Sequence, residues 1–224
     1  MSPRATGPAL VIPVKATLGA KQRLSSRLGP EARRLLALAM AGDVIRVVTS
    51  VLDPARVVVV CGDAEVESLA ERSRVRAIRE RGAGVSAAVR AGVEWSRERG
   101  HTAVAVVHAD LPLAEPDDIE VLVSAAAQRG SFLAVAADAD GTGTNAAALR
   151  PLGIDPWRFG PQSIRRHRVA AAELGLRFVL LDLPSLQVDC DRPGDLEGVL
   201  SVPRPTATFH VLRQLGLAPR AAAL

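Results

Sequence analysis

Two short acidic segments carry the residue types that bind a hard divalent cation. Asp110 follows an apolar run at residues 103 to 107, and Pro112 prevents that strand from continuing. Asp189 and Asp191 stand two residues apart in DCDRPGDL, and in an extended chain such residues point the same way. Open α/β sheets bind ligands beyond the carboxyl ends of their strands. We therefore predict that Asp110 and Asp189 hold Mg²⁺.

Helix capping is the alternative role for these carboxylates. Asp110 could cap the next helix, although residues 116 to 120, PDDIE, already make a good helix start without it. Capping of the helix that begins at Pro193 accounts for Asp191 more readily than for Asp189. Metal binding is the favoured interpretation for Asp110, and a metal role for Asp191 stays open.

Only two of the 28 basic residues are lysine, and both lie in the segment after the first predicted strand. This segment includes Lys15, Lys21 and Arg23 around Gly19, without the glycine spacing of a P-loop or a dinucleotide fold. A basic loop after the first strand of a parallel sheet is a phosphate-binding position, because amides and cations converge there. Compact ammonium groups fit a phosphate where a planar guanidinium does not. We predict phosphate contacts for all three side chains, with chance clustering of the lysines as the alternative.

Two further segments offer hydroxyls and glycine amides. GTGT ends at Thr144, and FGPQS places Gly160 and Ser163 at the start of a helix. Free amides at a helix N-terminus bind anions, so we expect Thr144 to face Ser163 on one anion, with an ordinary serine cap as the alternative. Gly84 and Ser86 stand at the start of an earlier helix, where Ser86 is expected to be the cap.

Strands and helices alternate along the 224 residues, which predicts one α/β domain with flexible tails at 1–7 and 217–224. Besides the strand before Asp110, strands are predicted at 8–15, 56–61, 74–79, 132–137 and 177–181. Helices are predicted to begin at Pro30, Asp63, Ser86, Pro116, Ser163 and Pro193, with a last one at 209–216.

Composition excludes several classes of protein. The net charge is +4, but the arginines are matched by acids and aromatic residues make up 3% with no tyrosine, which argues against nucleic-acid binding. No apolar stretch has membrane-spanning length and the N-terminus lacks a signal core, so we predict a cytoplasmic protein with no membrane partner. Cys61 and Cys190 show neither zinc spacing nor a disulfide framework. No Ser-His-Asp order or nucleophile elbow is evident.

Five motifs follow one another over nearly the whole chain: PVKATLGAKQRL, HADLPL, GTGTN, FGPQSIRRH and DCDRPGDL. In these motifs and in their order the chain resembles the 2-phospho-L-lactate guanylyltransferases, a family that includes actinobacterial enzymes acting on phosphoenolpyruvate. The resemblance implies a Rossmann-like α/β fold of the nucleotide-diphospho-sugar transferase type, with a mostly parallel sheet and helices on both faces.

The resemblance also implies a reaction. GMP is transferred from GTP to the phosphate of a small phosphorylated carboxylate, pyrophosphate is released, and the product feeds synthesis of the deazaflavin coenzyme F-420. Phosphoenolpyruvate is the favoured acceptor, with 2-phospho-L-lactate and 3-phosphoglycerate as alternatives. Monomer and homodimer are both compatible with the sequence.

Carried over by position, the resemblance assigns each candidate site. Asp110 and Asp189 are assigned to the metal. Lys15, Lys21 and Arg23 are assigned to the triphosphate, and Gly84 and Ser86 also to the nucleotide. Thr144, Gly160 and Ser163 are assigned to the acceptor. One departure bears on guanine preference, since relatives have Leu-Asn after a glycine where this chain reads Gly84, Val85, Ser86. The alternatives are a same-fold nucleotidyltransferase with another base or acceptor, and a catalytically silent nucleotide-binding protein.

Overall fold

The computed structural model describes residues 7–17, 19–80, 84–202 and 204–217. The predicted tails at 1–7 and 217–224 lie outside these ranges except for Gly7 and Leu217. Seven strands form a single sheet in the order β3-β2-β1-β4-β6-β5-β7. The strands are β1 (Ala9–Val14), β2 (Val57–Cys61), β3 (Arg76–Arg79), β4 (Val104–Val107), β5 (Phe132–Ala137), β6 (Thr144–Arg150) and β7 (Arg177–Leu181).

Among the residues that the structure describes, seven α-helices connect and cover these strands, and they begin close to the predicted positions. They are α1 (Pro30–Val51), α2 (Ala64–Arg72), α3 (Val85–Glu98), α4 (Pro116–Ala127), α5 (Ser163–Glu173), α6 (Pro193–Ser201) and α7 (Ala207–Gln214). Short 3-10 helices lie at Gln22–Leu24, Pro54–Arg56 and Pro184–Leu186. Within the described ranges no helix is long and apolar enough to cross a membrane.

The sheet is mostly parallel, as predicted, with one antiparallel strand. β1 pairs in parallel with β2 and β4, β2 with β3, and β5 with β7. The apolar run after Thr144 forms β6, which runs antiparallel to both β4 and β5. A connection as short as residues 138–143 cannot cross over the sheet, so β5 and β6 have to pair as a hairpin.

Helices cover both faces of the sheet because successive strand residues alternate between the faces. Leu10 and Ile12 of β1 pack into a core with α1, α2 and α4, while Ala9 and Val11 pack towards α3 and α5. α3 lies very close to β1, since a Cβ on Gly92 would stand 2.4 Å from Val11 Cγ1. A third apolar cluster joins α1, α6 and α7 to the loop after β1.

Candidate active site

Three carboxylates converge beyond the carboxyl end of β4, the central strand. Asp110 lies three residues past the end of β4, and the backbone N–H of Cys190 donates to its carbonyl oxygen at 3.1 Å. This hydrogen bond holds the DCD segment against the strand tip. Three carboxylate oxygens lie within 4.8 Å of one another, one from each of Asp110, Asp189 and Asp191. The structure thus brings the predicted metal pair together and adds Asp191.

The capping alternatives are contradicted by the helix starts. The residue before α4 is Glu115, so Asp110 caps no helix. At α6 the carboxylate of Asp195 accepts from the backbone N–H groups of Asp191 and Arg192 at 2.8 and 2.6 Å. Asp195 therefore satisfies this helix start, which contradicts the alternative in which Asp191 is the cap. The carboxylate of Asp191 is directed at the acidic cluster instead.

Lys21 lies inside the acidic cluster. Its Nζ donates to Asp110 Oδ2 and to Asp191 Oδ1, both at 2.7 Å, and its side chain is only 7% exposed. Burial works to lower the pKa of Lys21, but Asp110 and Asp191 raise it well above its usual range. Burial would likewise raise the pKa of Asp110, yet Lys21 and His108 lower it to about 2. The Lys21 ammonium and the Asp110 carboxylate are therefore both charged at neutral pH.

Asp189 shows that the cluster has an excess of negative charge. Burial, followed by the nearby carboxylates of Asp110 and Asp191, raises the pKa of Asp189 to about 6. A hard cation with oxygen ligands would relieve this repulsion. The span of at most 4.8 Å between ligand atoms is near that of two Mg–O bonds of about 2.1 Å each. The donor set fits a divalent cation such as Mg²⁺.

The other two basic residues of the loop lie on either side of Lys21. Lys15 is exposed at the end of β1, where it lines a cavity of about 300 Å³. Arg23 is 67% exposed, with Nη1 3.8 Å from Asp191 Oδ2. Phosphate contacts for these residues stay a prediction, and of the three predicted cations Lys21 is the one buried among the carboxylates.

The cavity lies at the carboxyl ends of β1 and β2, next to the start of α3. Gly84 lines it with φ +91°, a conformation that favours glycine, and Glu80 lines it from the end of β3. α3 begins at Val85 with Gly84 as the residue before it, so the expected cap at Ser86 is wrong. Ser86 Oγ instead accepts the N–H of Phe159 at 3.1 Å. It therefore joins the cavity side of the sheet to the loop before α5.

The two predicted acceptor hydroxyls face each other, as expected. Ser163 Oγ donates to Thr144 Oγ1 at 2.9 Å, and both residues are buried. Gly160 is exposed, with φ +117°, in the loop that leads into α5. The residue before α5 is Gln162, which makes no side-chain capping bond. Ser163 is therefore the first residue of the helix and not its cap.

Sequence reasoning missed His167 in this site. The side chain is fully buried on α5, with Nδ1 3.1 Å from Thr144 Oγ1. Burial, then Arg158, Arg166 and His108, lowers the pKa of His167 to about 4, so the imidazole is neutral. The sequence did offer one indication of this role. His167 is four residues after Ser163, and residues i and i+4 of a helix lie on the same face.

Together, the sheet, the strand-end cavity and the neighbouring carboxylates define a Rossmann-like α/β enzyme of the nucleotidyltransferase class. Sequence comparison gives the family. The model of the family described as "Guanylyl transferase CofC like" matches residues 9–222. The chain belongs to this guanylyltransferase family.

Individual relatives agree with this membership. The chain is 37% identical over 187 residues to a phosphoenolpyruvate guanylyltransferase of Sphaerobacter thermophilus, covering 84% of this chain and 89% of that protein. It is 38% identical over 189 residues to one of Rubrobacter xylanophilus, covering 83% and 90%. In fold it is similar to a Desulfovibrio desulfuricans structure described as a nucleotide-diphospho-sugar transferase, with a TM-score of 0.74, 15% identity, and 92% and 94% coverage.

Proposed function

We propose that this enzyme transfers GMP from GTP to phosphoenolpyruvate in a Mg²⁺-dependent reaction that releases pyrophosphate, in the cytoplasmic synthesis of coenzyme F-420. The observation that carries the proposal is the position of the carboxylate cluster, Asp110, Asp189 and Asp191, beyond the end of the central strand β4. The cavity beside β1 lies towards one edge of the sheet, and the Thr144–Ser163 pair lies towards the other. The activity named for the relatives supports this assignment.

In the proposed reaction a phosphate oxygen of the acceptor attacks the α-phosphorus of GTP, and the bond from that phosphorus to pyrophosphate breaks. The acceptor phosphate is already ionised near neutral pH, so no general base is needed. Mg²⁺, when bound, supplies neutralisation of charge on the phosphate oxygens. Asp110, Asp189 and Asp191 would hold it, and Lys21 would place an ammonium beside the same phosphates. Lys15 and Arg23 would contact the triphosphate from the rim.

The test is pyrophosphate release with GTP, Mg²⁺ and each acceptor in turn: phosphoenolpyruvate, 2-phospho-L-lactate and 3-phosphoglycerate. We expect the highest rate with phosphoenolpyruvate. Asp110→Asn and Asp189→Asn should each lower turnover by orders of magnitude, whereas Asp117→Asn, on an exposed first turn of α4, should not. GTP binding without pyrophosphate release from any acceptor would instead identify a catalytically silent nucleotide-binding protein.

We further propose that Thr144, Gly160 and Ser163 bind the acceptor. Loss of a hydrogen bond to a charged phosphate costs about 1.5 to 3 kcal/mol, which is roughly a ten- to hundredfold loss of affinity. Thr144→Val should therefore raise the KM for phosphoenolpyruvate by this factor. Ser163→Ala removes the hydroxyl that donates to Thr144 at 2.9 Å, so it should raise the same KM to a smaller extent. The KM for GTP should stay nearly unchanged in both variants. A rise confined to the GTP constant would mean that the two substrate sites are interchanged.

A further inference from the structure

The hydrogen bonds around His167 determine which ring nitrogen carries its proton. The backbone N–H of Arg158 donates to Nε2 at 3.0 Å, so Nε2 presents a lone pair. The neutral ring must then carry its proton on Nδ1. Nδ1 lies 3.1 Å from Thr144 Oγ1 and donates to it.

This tautomer decides where the hydroxyl protons go. Thr144 Oγ1 accepts from His167 Nδ1, and it also accepts from Ser163 Oγ at 2.9 Å. With both of its lone pairs occupied, the Thr144 hydroxyl keeps its own proton for a third partner. If Nδ1 were the acceptor, the Thr144 hydroxyl would donate to the ring while the Ser163 hydroxyl donates to Thr144. Neither hydroxyl proton would then be available to a ligand. The observed arrangement leaves one donor, which is what a phosphate oxygen requires.

We infer that His167 is a positioning residue of the acceptor site, which keeps the Thr144 hydroxyl proton available to an oxygen of the bound phosphate. The inference rests on the proposed function. The orientation of the His167 ring is also held, because Phe159 packs edge-on against it at a centroid distance of 4.9 Å. His167 touches neither substrate, and its effect passes through Thr144.

Two amide variants separate the two hydrogen bonds of His167. The Asn amide nitrogen stands near the position of Nδ1 and can still donate to Thr144, whereas the Gln oxygen reaches the position of Nε2 and accepts only from Arg158. We expect His167→Gln and His167→Phe to raise the KM for phosphoenolpyruvate about five- to tenfold, the loss expected for one hydrogen bond. His167→Asn should restore most of the affinity, and the KM for GTP should stay unchanged in all three.

His101→Asn is the matched control, because this other buried histidine bonds Gly7 O through Nδ1, remote from the site. It should lose stability with no change in either KM. If the unmodified enzyme turns over and His167→Phe has the same KM for phosphoenolpyruvate, the inference about His167 is wrong while the proposed function stands. Absence of turnover by the unmodified enzyme would overturn the proposed function and the inference with it.

Discussion

Lys21 is the residue for which shape matters more than charge. Its ammonium fits between Asp110 and Asp191 at 2.7 Å from each, with the side chain 7% exposed. A guanidinium is planar and larger, so it cannot take the same position between two carboxylates. Lys21→Arg should therefore lower kcat at least tenfold, as measured by pyrophosphate release. Arg97→Lys, at an exposed position on α3, is the control, and wild-type turnover in Lys21→Arg would contradict the argument.

The buried His167 predicts a pH dependence of stability. Its pKa is about 4 in the folded chain and about 6.5 when unfolded, so the unfolded state binds the proton first as pH falls. The contribution of His167 to stability is therefore intact above pH 6.5 and declines by roughly 3 kcal/mol between pH 6.5 and 4. Arg158, Arg166 and His108 face the ring and add to the cost of protonation.

Urea unfolding measured at several pH values would check this prediction. The free energy of unfolding of the unmodified chain should fall more steeply between pH 6.5 and 4 than that of His167→Asn, in which the titrating group is gone. Comparison of the two chains cancels the contributions of the carboxylates. Identical slopes would show that His167 is protonated in the folded state over this range.

Among the elements, α3 depends on one glycine for its approach to the sheet. A Cβ at Gly92 would lie 2.4 and 2.8 Å from the two Cγ atoms of Val11, which lies within a packed strand. Gly92→Ala should therefore destabilise the fold by about 1 to 3 kcal/mol through overpacking, as measured by urea unfolding.

Gly42 in α1 provides the matched control for this substitution. There a Cβ would meet Leu69 at an ordinary 3.7 Å. Gly42→Ala should be neutral or stabilise by up to about 1 kcal/mol, because alanine is the better helix former. Equal effects of the two substitutions would mean that helix propensity decides both and that the close approach does not matter.

The elements were largely predictable from periodicity, because long apolar patterns report burial directly. The strands at 132–137 and 177–181 have the predicted bounds, whereas the stretch before Asp110 yields only the four residues Val104–Val107. β6 was not predicted as a strand, although the short connection at 138–143 implies a hairpin with β5 once β6 is recognised. The predicted cap at Ser86 failed because its partner, Phe159, is 73 residues away in the chain.

The site was predictable to the extent that it follows strand ends. Asp110 could be named because it follows the strand β4, and Asp189 because it stands two residues from Asp191 in a segment expected to be extended. The position of Lys21 between two carboxylates could not be predicted, because it depends on a left-handed backbone conformation, φ 53°, in a loop. His167 was missed because its role depends on three partners at different places in the chain.

At the scale of the whole molecule, the proposed binding of a metal ion at the carboxylate cluster would be coupled to stability. Three acidic groups repel one another in the absence of a cation, and a ligand that binds only the folded state stabilises it. Mg²⁺ should raise the Tm of the unmodified chain by several degrees. Asp189→Asn should have the higher Tm without Mg²⁺, since one repulsive charge is removed, and should lose most of the response to Mg²⁺.

Thermal scans with and without Mg²⁺ test this prediction, with Asp117→Asn as the control that keeps the full response. A Tm of the unmodified chain that is insensitive to millimolar Mg²⁺, or an undiminished response in Asp189→Asn, would contradict metal binding at these carboxylates.

The turn between β5 and β6 has a consequence for how acceptor preference can change. Residues 138–143 protrude from the end of a hairpin, and Asp138 holds the turn through the N–H of Thr142 at 2.9 Å. The carbonyl of Thr142 also accepts the N–H of Ile164 at 3.1 Å, which joins the turn to the first turn of α5. Residues inserted into a surface turn cost little stability, since loop-closure entropy grows only slowly with length. An insertion in this turn would therefore change the surroundings of Thr144, in the proposed acceptor site, while the sheet and its carboxylates stay unchanged.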